Sequence, residues 1–474
     1  LKHHYNMRLK FISILATWLM FALASILPCS AVNVIPYPQS VEMTDVVFNK
    51  KKIDKVKYVT DKEMPSEAYE LCIKKSGVVI KASDDKGRFY ALQTLKQLAE
   101  AEVMYCGVIK DEPRFPWRGF MLDESRHFHG KEKVKMLLDM MARYKLNRFH
   151  WHLSDDQGWR IEIKAFPNLT TVGGIGCNTD ANAPAKFYTQ DEVREILAYA
   201  AERHIEVIPE IDMPGHTTAF TKVFPQLNGK NRTVNPGKEE TYAVLKTIYG
   251  ELAELFPGRY IHTGGDEVNK NGWNDLPEVK ALMEKENLKS LGEVEEFFCR
   301  RLADIVTATG KNVVAWDDLI DCGTKPDGKV MLWWHTEHPE FLKEGADRGF
   351  DMVVCPDRPF YLDFVQDKND KVGHLVGRFT NYMQQIYEFG IMDNPRVIGV
   401  QSNLWSERVV TPKRIDYMVF PRLLALAEKG WTWARNLDYQ GFLKRLENEY
   451  KYMDAKGIYY YDFRNKNNHP EPER

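Results

Sequence analysis

The feature that most constrains the fold is an alternation of short apolar runs with amphipathic segments between residues 118 and 430. Most runs are separated by a segment with apolar residues three and four positions apart, the spacing of one helix face. The runs are too apolar for half-exposed sheet edges and suit strands buried on both faces. Eight such runs over this length predict a (β/α)₈ barrel. They are RGFMLD (118–123), RFHWHL (148–153), EVIPEI (206–211), RYIHTGGD (259–266), NVVAWDD (312–318), VMLWWH (330–335), FDMVVCP (350–356) and VIGVQSNLW (397–405).

Helical spacing fills most of the gaps between these runs. One helix opens at Thr189, a hydroxyl residue followed by acids in the first turn, which is typical of a helix N-terminus. A doubly wound sheet is the competing architecture, but ESRHF follows the first run where that fold has its phosphate-cradling glycine turn. The predicted helices cover 131–145, 189–204, 239–256, 293–309 and 412–430.

A smaller unit precedes the barrel. Residues 46–60 and 77–83 are rich in Val and Ile with polar alternation, which favours strands, and 87–102 has helical spacing. Two prolines in 111–117 mark a boundary. The chain is therefore predicted to be an α/β protein with two domains, a small α+β domain at 33–110 and a (β/α)₈ TIM barrel catalytic domain at 114–460.

Residues 1–31 have the pattern of an export signal. A basic start precedes an uncharged apolar stretch at 11–27, and small residues follow it. The stretch is short for a comfortable membrane span, which favours a cleaved signal over a retained anchor. Met7 is the expected start, and cleavage after Ala31 and lipidation at Cys29 are the two alternatives. We expect an exported protein that is periplasmic, an outer-membrane lipoprotein or secreted, with no stable membrane span after processing.

Charge and cysteine usage exclude other classes. The formal net charge is −2 and no long basic run occurs, which argues against nucleic-acid binding. The seven cysteines are scattered, so the chain has no CxxC metal or redox motif. Long-range disulfides and buried free thiols both remain open. No cofactor and no metal are implied.

Polar residues collect directly after the predicted strands. In a (β/α)₈ barrel the C-terminal strand ends meet at one face, where the active site lies. Asp and Trp recur at these positions more often than ordinary strand ends require. The residues are Asp123 and Arg126; Ser154, Asp155 and Asp156; Asp212 and His216; Asp266 and Glu267; Asp317 and Asp318; His335; Asp357, Arg358, Tyr361 and Asp363; and Trp405 and Glu407.

This set of side chains suits a polyhydroxylated ligand. Carboxylates and arginine bond to hydroxyl groups, and tryptophan covers the apolar face of a sugar. Cleavage of a glycosidic bond needs one protonated acid at the leaving oxygen. Asp266 and Glu267 are adjacent, and ionisation of one raises the pKa of the other. The glycines before them, Gly264 and Gly265, are expected to let the backbone pack close to the sugar.

With these residues in view, the chain resembles glycoside hydrolase family 20, the β-N-acetylhexosaminidases. HTGGDEV (262–268) is similar to the family signature. The resemblance runs almost end to end, in family order, through PRFPWRGFMLDESRHF, WHLSDDQGWRIEI, VIPEIDMPGH, AWDD, YLDF and QSNLWSE.

The resemblance implies an exo-acting retaining enzyme that removes terminal GlcNAc or GalNAc by substrate-assisted catalysis. The nucleophile would be the sugar's own 2-acetamido oxygen, giving an oxazolinium intermediate. Its partners would be N-acetylhexosamine-terminated oligosaccharides or glycoconjugates. The resemblance implies Glu267 as general acid/base, Asp266 as the acid that orients the acetamido group, Tyr361 as the donor to its oxygen, Asp155 or Asp156 with His216 as a relay to the general acid, Trp316, Trp405 and one of Trp333 and Trp334 as walls, Arg126 at the 3- and 4-hydroxyls, and Glu407 and Asp363 at the 4- and 6-hydroxyls.

Some features depart from the family pattern or have a simpler structural interpretation. The domain at 33–110 is short for the family. AWDD places Asp318 where the family usually has Glu, and we expect Asp318 and His335 to support the pocket rather than contact ligand. We expect His150 and His152 to face the barrel core and Asp123 to brace it.

Two other functions remain open. His150 and His152 form an HxH pair of the kind used by metal-dependent barrel hydrolases, although here it lies in the second strand rather than the first. A non-catalytic N-acetylhexosamine-binding barrel would keep the tryptophan walls and dispense with the acid.

Overall fold

The computed structural model describes residues 32–320 and 323–473. The contacts between Cα atoms divide the chain into two compact units: one ends at Pro113 and takes in Gln440–Asn448, and the other comprises Arg114–Tyr439 and the residues from Glu449 onward. The predicted export signal at 1–31, with Cys29, lies outside the described residues. Within the described ranges, no helix combines the length and the apolar character that a bilayer crossing requires.

The first unit is built on a five-stranded sheet whose strands lie in the order Ser40–Val47, Tyr105–Asp111, Tyr69–Lys74, Gly77–Ala82 and Val56–Thr60. The run 46–60, predicted as one strand, is two strands separated by a 3-10 turn at Lys50–Lys52. Asn49 breaks the strand because its side chain accepts a hydrogen bond from the Lys51 amide and caps that turn. The strands are β1 (Ser40–Val47), β2 (Val56–Thr60), β3 (Tyr69–Lys74), β4 (Gly77–Ala82) and β5 (Tyr105–Asp111), and helix α1 covers Asp85–Glu100.

The second unit is a closed barrel of eight parallel strands, which confirms the predicted architecture. The last strand pairs with the first over six residue pairs, from Gly399 with Trp117 to Leu404 with Leu122. A two-stranded hairpin, β8 (Ser154–Asp155) with β9 (Gly158–Trp159), projects after the second barrel strand. The barrel strands are β6 (Trp117–Asp123), β7 (Arg148–His152), β10 (Glu206–Glu210), β11 (Tyr260–His262), β12 (Asn312–Trp316), β13 (Val330–Trp333), β14 (Asp351–Val354) and β15 (Val397–Leu404).

Helices join the barrel strands. Thr189 caps its helix as predicted, in a reciprocal capping box with Glu192. The helix predicted at 412–430 is two helices, since Phe420 is extended and Pro421 has no amide hydrogen to continue the first. The helices are α2 (Lys131–Arg143), α3 (Asn168–Thr171), α4 (Gln190–Ala201), α5 (Thr218–Val223), α6 (Glu239–Leu255), α7 (Pro277–Glu286), α8 (Leu291–Ala308), α9 (Pro339–Asp347), α10 (Asp357–Phe360), α11 (Met383–Glu388), α12 (Pro412–Val419), α13 (Arg422–Trp431) and α14 (Tyr439–Ala455).

Cys72, Cys106, Cys177 and Cys355 are free thiols rather than disulfides. Cys106, Cys299 and Cys355 are buried, whereas Cys72 and Cys177 are half-buried. Cys322 lies outside the described residues.

Candidate active site

A cavity of about 210 Å³ opens at the C-terminal ends of the barrel strands. It collects residues from the ends or following loops of β6, β10, β11, β13, β14 and β15, so one site draws on most of the barrel. This is the face on which the strand-end residues were expected to meet. The lining residues are Arg126, His216, Asp266, Glu267, Trp334, Asp357, Tyr361, Asp363, Phe364, His374, Val376, Trp405 and Glu407.

The adjacent acids occupy different environments. Asp266 is buried, and burial raises the pKa of its carboxyl. The Glu267 side chain is 59% exposed, and its backbone amide donates to Asp318 Oδ1 at 3.3 Å. An interaction with His216 lowers the pKa of Glu267. Of the two acids, the raised pKa therefore belongs to Asp266, which is not expected to donate the proton.

The two glycines before these acids are required for a different structural reason than the expected close packing against the sugar. Gly264 adopts a left-handed φ of +69°, and a Cβ atom there would lie 1.8 Å from Asp212 Oδ1. At Gly265, φ is +103° and a Cβ atom would lie 3.1 Å from Leu319. Neither glycine is among the residues that line the cavity. The glycines let the loop after β11 pass over the Asp212 carboxyl and turn sharply.

A chain of charged groups leads from the general-acid candidate into the barrel. His216 Nε2 lies 3.6 Å from Glu267 Oε2, and His216 Nδ1 lies 3.2 Å from Asp155 Oδ1. The other oxygen of Asp155 contacts Arg126 Nη2 at 2.7 Å and His152 Nε2 at 3.1 Å. Burial opposes protonation of His216, but Asp155, Asp156 and Glu267 together outweigh it and raise the pKa of the imidazole well above its usual value. The structure thus places a cationic His216 between two acids.

Of the two relay candidates, Asp155 makes the direct contact. Asp156 lies further from His216, at 3.6 Å from Nδ1. Its carboxylate instead accepts from the Thr218 amide at 3.1 Å and contacts Arg232 Nη1 at 2.9 Å. Asp156 therefore anchors the start of α5 and has only a weak link to the relay.

Polar groups of the opposite wall face the same cavity. Arg126 Nη1 contacts Asp123 at 3.3 Å, and its guanidinium lies 4.8 Å from the ring of Trp405. Burial opposes ionisation of Glu407, but Arg126, His374 and a backbone hydrogen bond together outweigh it and lower the pKa of Glu407 to about 2. Burial raises the pKa of Asp363 to about 7. The wall thus combines a fixed cation, a fixed anion and a carboxyl that titrates near neutrality.

The aromatic walls separate into pocket and support. Trp334 lines the cavity and stacks on Tyr361, with ring centroids 6.3 Å apart. Trp333 is buried behind it and donates through Nε1 to the His338 carbonyl at 3.1 Å. Trp316, predicted as a wall, is not among the lining residues, because it is fully buried and donates to Glu210 Oε1 at 2.9 Å.

Other predicted residues support the site from outside. Asp318 Oδ2 accepts from Trp334 Nε1 at 2.9 Å, and His335 Nδ1 contacts Asp317 at 3.0 Å. Asp123 accepts from the amides of Arg126 at 3.1 Å and Ser406 at 3.0 Å, so it ties β6 to the end of β15.

His150 and His152 face the barrel interior, as expected. Both contact Glu210 Oε2, and His150 Nε2 does so at 2.9 Å. His262 Nδ1 contacts the other Glu210 oxygen at 3.0 Å. The HxH pair therefore braces a buried carboxylate with one ring nitrogen of each histidine, an arrangement that differs from an open pair at a strand end.

Sequence reasoning missed Glu210 and His374. Glu210 is the last residue of β10, a run that was interpreted only as a buried strand. The one signal in the sequence was an acidic residue inside an otherwise apolar run. His374 Nε2 lies 3.8 Å from Glu407 Oε2, but it comes from the connection between β14 and β15, where no periodic pattern pointed to it. Val376 and Phe364 line the cavity from the same connection.

Comparison with known proteins gives a consistent result. The family model "Glycosyl hydrolase family 20, catalytic domain" matches residues 115–434, and "Glycosyl hydrolase family 20, domain 2" matches residues 46–112. A beta-hexosaminidase of Porphyromonas gingivalis is 37% identical over 430 residues, which cover 84% of this chain and 55% of that protein. A beta-hexosaminidase of Vibrio furnissii is 35% identical over 406 residues, 78% of this chain and 66% of that protein. The chain thus spans between about half and two thirds of the length of these two relatives.

A solved structure is similar over most of the chain. The GH20 exo beta-N-acetylglucosaminidase of Vibrio harveyi, in complex with N-acetylglucosamine, superposes with a TM-score of 0.83 at 31% sequence identity. The match covers 91% of this chain and 78% of that one.

Proposed function

The chain belongs to glycosyl hydrolase family 20, and from that premise we propose that it is an exo-acting retaining β-N-acetylhexosaminidase. The proposed substrate is the terminal GlcNAc or GalNAc of an oligosaccharide or glycoconjugate, and the proposed products are the free sugar and the shortened glycan.

One observation carries the proposal: buried polar atoms without a hydrogen-bond partner among the described residues converge on one cavity. Buried polar groups are normally bonded, so a ligand with matching hydroxyl and amide groups is the simplest way to satisfy them. A volume of about 210 Å³ is small for a ligand pocket and suits a single sugar ring. The atoms are Arg126 Nε, His216 Nε2, Asp266 Oδ1, Asp363 Oδ1 and Glu407 Oε2.

The sugar would sit with its acetamido group on the buried side. Asp266 would accept from the acetamido N–H, and Tyr361 would bond to the acetamido oxygen between Trp334 and Trp405. The exposed Glu267 is at the mouth, where the leaving group would emerge. The buried acid therefore suits the internal nucleophile, and the exposed acid suits the glycosidic oxygen.

In the first step the acetamido oxygen would attack the anomeric carbon while the bond to the leaving oxygen breaks. Glu267 would give its proton to that oxygen, and Asp266 would balance the positive charge of the oxazolinium ring. In the second step water would attack the anomeric carbon and lose a proton to Glu267, which restores the acetamido group. Two displacements at the same carbon give net retention.

Glu267 must be protonated before the first step, although His216 lowers its pKa in the free protein. A bound glycan covers the exposed carboxylate, and loss of water disfavours its charged form. We therefore expect substrate to raise the pKa of Glu267 and to complete the general acid.

The test is hydrolysis of 4-nitrophenyl N-acetyl-β-glucosaminide and the corresponding galactosaminide, with the plain β-glucoside as the control that lacks the acetamido group. The proposal expects cleavage of at least one N-acetyl substrate, little of the glucoside, and inhibition by an N-acetylglucosamine-thiazoline. Glu267→Gln should abolish turnover, whereas the exposed matched variant Glu254→Gln should not. Glucoside cleavage at a similar rate would contradict substrate assistance. Loss of activity with chelator and its return with zinc would favour the metal-dependent alternative.

We also propose that the protein is exported, because residues 8–31 have the pattern of an export signal. Mass spectrometry of the mature protein from its host distinguishes the alternatives. A new N-terminus at Val32 supports cleavage, a lipid adduct on Cys29 supports lipidation, and a mature chain that keeps residues 8–31 would contradict both.

A further inference from the structure

Three buried carboxyl groups meet at the floor of the cavity. One oxygen each of Glu210, Asp212 and Asp266 lies within 4.8 Å of the others. All three side chains are buried. Two like charges at this distance repel by about 3 to 4 kcal/mol at an effective dielectric constant near 20. The three groups cannot all be ionised without a compensating positive charge or a proton.

Glu210 has its own compensation. His150 and His152 contact one of its oxygens, and His262 and Trp316 contact the other. Burial opposes its ionisation, but His152 and the other histidines outweigh it and hold the pKa of Glu210 well below its usual value. Glu210 is therefore the carboxylate of the three that keeps its charge independently.

Asp212 lacks such a set of donors. Its Oδ1 accepts from the Gly265 amide at 3.2 Å, and its Oδ2 has no donor among the described residues. The Tyr249 hydroxyl nearby donates instead to the Ile211 carbonyl at 2.8 Å. The nearest cation, His216, is shared with Asp155 and Glu267.

Asp266 faces Asp212 with the same deficit. Its Oδ1 also has no partner among the described residues, although its side chain interacts with Asp212. The other charged groups that face Asp266 are His216 at 3.8 Å and, further out, Glu267, Arg126 and Asp318. The two carboxyl groups lie within 4.8 Å of each other through one oxygen each, and a single proton between them would turn their repulsion into a hydrogen bond.

We propose that Asp212 is a positioning residue that stays protonated in the working enzyme and donates a hydrogen bond to Asp266. That bond keeps Asp266 ionised and fixes the direction of its free oxygen toward the acetamido nitrogen. The proton remains on Asp212 throughout the reaction. The inference rests on the proposed function, because it assigns Asp212 a role in the same reaction.

Two further observations agree with this arrangement. Burial, followed by the charge of Asp266, raises the pKa of Asp212 well above its usual value. The close passage of Gly264 over Asp212 Oδ1 leaves no room for a side chain that would turn the carboxyl away. A side chain at position 264 would displace the Asp212 carboxyl, which the Gly265 amide holds through Oδ1.

The first test needs no substrate. Infrared difference spectra of the free wild-type protein and Asp212→Asn at neutral pH should show a protonated carboxyl band that the variant lacks. Other protonated carboxyls cancel in the difference, and the exposed Asp304→Asn serves as the matched control. An identical carboxyl band in wild type and Asp212→Asn would overturn the proposal.

The second test is the pH profile of kcat/KM. Asn keeps the acceptor for Gly265 and offers an N–H to Asp266, so Asp212→Asn should remain within about threefold of wild type with the ascending limb in place. Asp212→Ala removes the donor, so the limb should move to higher pH by about one unit with roughly tenfold lower kcat. Equal losses in both variants would mean that Asp212 acts as an anion and would refute the idea. If Asp212→Ala does not fold, the infrared spectra and Asp212→Asn decide.

Two outcomes separate this inference from others. The carboxyl band could disappear in Asp212→Asn while no folded form of the protein hydrolyses any substrate. That result would support a protonated Asp212 and refute the proposed function. Calcium added to the chelator-treated protein should leave its melting temperature unchanged. A rise that Asp212→Asn abolishes would mean that a cation compensates the three carboxylates, and this would overturn the shared proton.

Discussion

Replacement of His216 by Asn tests how the general-acid candidate is tuned. The His216 backbone has a left-handed φ of +52°, a conformation that Asn tolerates better than other non-glycine residues. Asn removes the positive charge that lies 3.6 Å from Glu267 Oε2. We expect the pKa of Glu267 to rise toward its usual value in this variant.

The magnitude follows from the distance and the exposure. Because the Glu267 side chain is 59% exposed, a water-like dielectric constant is appropriate for the pair. At that constant, unit charges 3.6 Å apart interact by about 1.2 kcal/mol, or about 0.8 of a pKa unit. Activity needs Glu267 protonated in the first step and declines as pH rises through its pKa. Loss of the His216 charge should therefore move the descending limb of kcat/KM to higher pH by about 0.8 unit.

The assay is kcat/KM for the 4-nitrophenyl substrate across the pH range, with folding checked by circular dichroism at each pH. His338→Asn is the matched control, since His338 is exposed and pairs only with Glu340 at 3.0 Å among the charged groups described. A folded His216→Asn whose descending limb stays in place, or moves to lower pH, would refute the electrostatic role of His216. If His216→Asn only lowers the maximum of kcat/KM without moving the limb, His216 positions Glu267 but does not tune its pKa.

Three further variants test the remaining geometry. Gly264→Ala should lose roughly 100-fold in kcat because the new Cβ displaces Asp212. Gly310→Ala is the control, since Gly310 is also left-handed but has no atom near its Cβ, and it should lose stability alone. Equal activities of the two variants would contradict the steric argument. Trp334→Ala should raise KM with little change in the urea midpoint, while the buried Trp333→Ala should cost about 3–5 kcal/mol of stability; the reverse result would exchange their assignments. The lowered pKa of Glu407 contributes about 3 kcal/mol of stability above its unfolded value near 4.5, which is lost as pH falls toward about 2. Glu407→Gln should flatten that acid loss in urea titrations, and an unchanged slope would argue against the Arg126 pairing.

The barrel was predictable because its signal is repeated. Each strand is a buried apolar run and most are followed by a helix face, so errors at single boundaries do not change the architecture. The predicted ends of strands and helices were wrong where a single side chain ends the element. Asn49 splits a β-rich run by capping a turn, and Pro421 ends a helix whose apolar spacing continues through it.

The site was predictable as a set of residues and less so as a geometry. Trp333 and Trp334 are neighbours at the end of β13, where successive side chains point to opposite sides, so spacing alone did not tell which one faces the pocket. Trp316 was expected at the surface of the pocket, but its indole bonds to Glu210, a residue whose role was not foreseen. His374 comes from a connection without periodicity, where sequence spacing carries no three-dimensional information. Roles assigned by resemblance remain predictions for the variants above.

The cavity is divided between two sources of chain, and this bears on how such a protein can diversify. The charged groups that follow β6, β7, β10 and β11 are interlocked by shared bonds, so a change in one disturbs several. The rim residues Phe364, His374 and Val376 all lie in one connection between β14 and β15. Tyr361 and Asp363 lie earlier in the same connection, so insertion or exchange confined to residues 364–380 would reshape the entrance and leave them in place. Selection for new glycan substrates, in nature or in the laboratory, should therefore accumulate substitutions at 364–380 before it changes the interlocked charged residues.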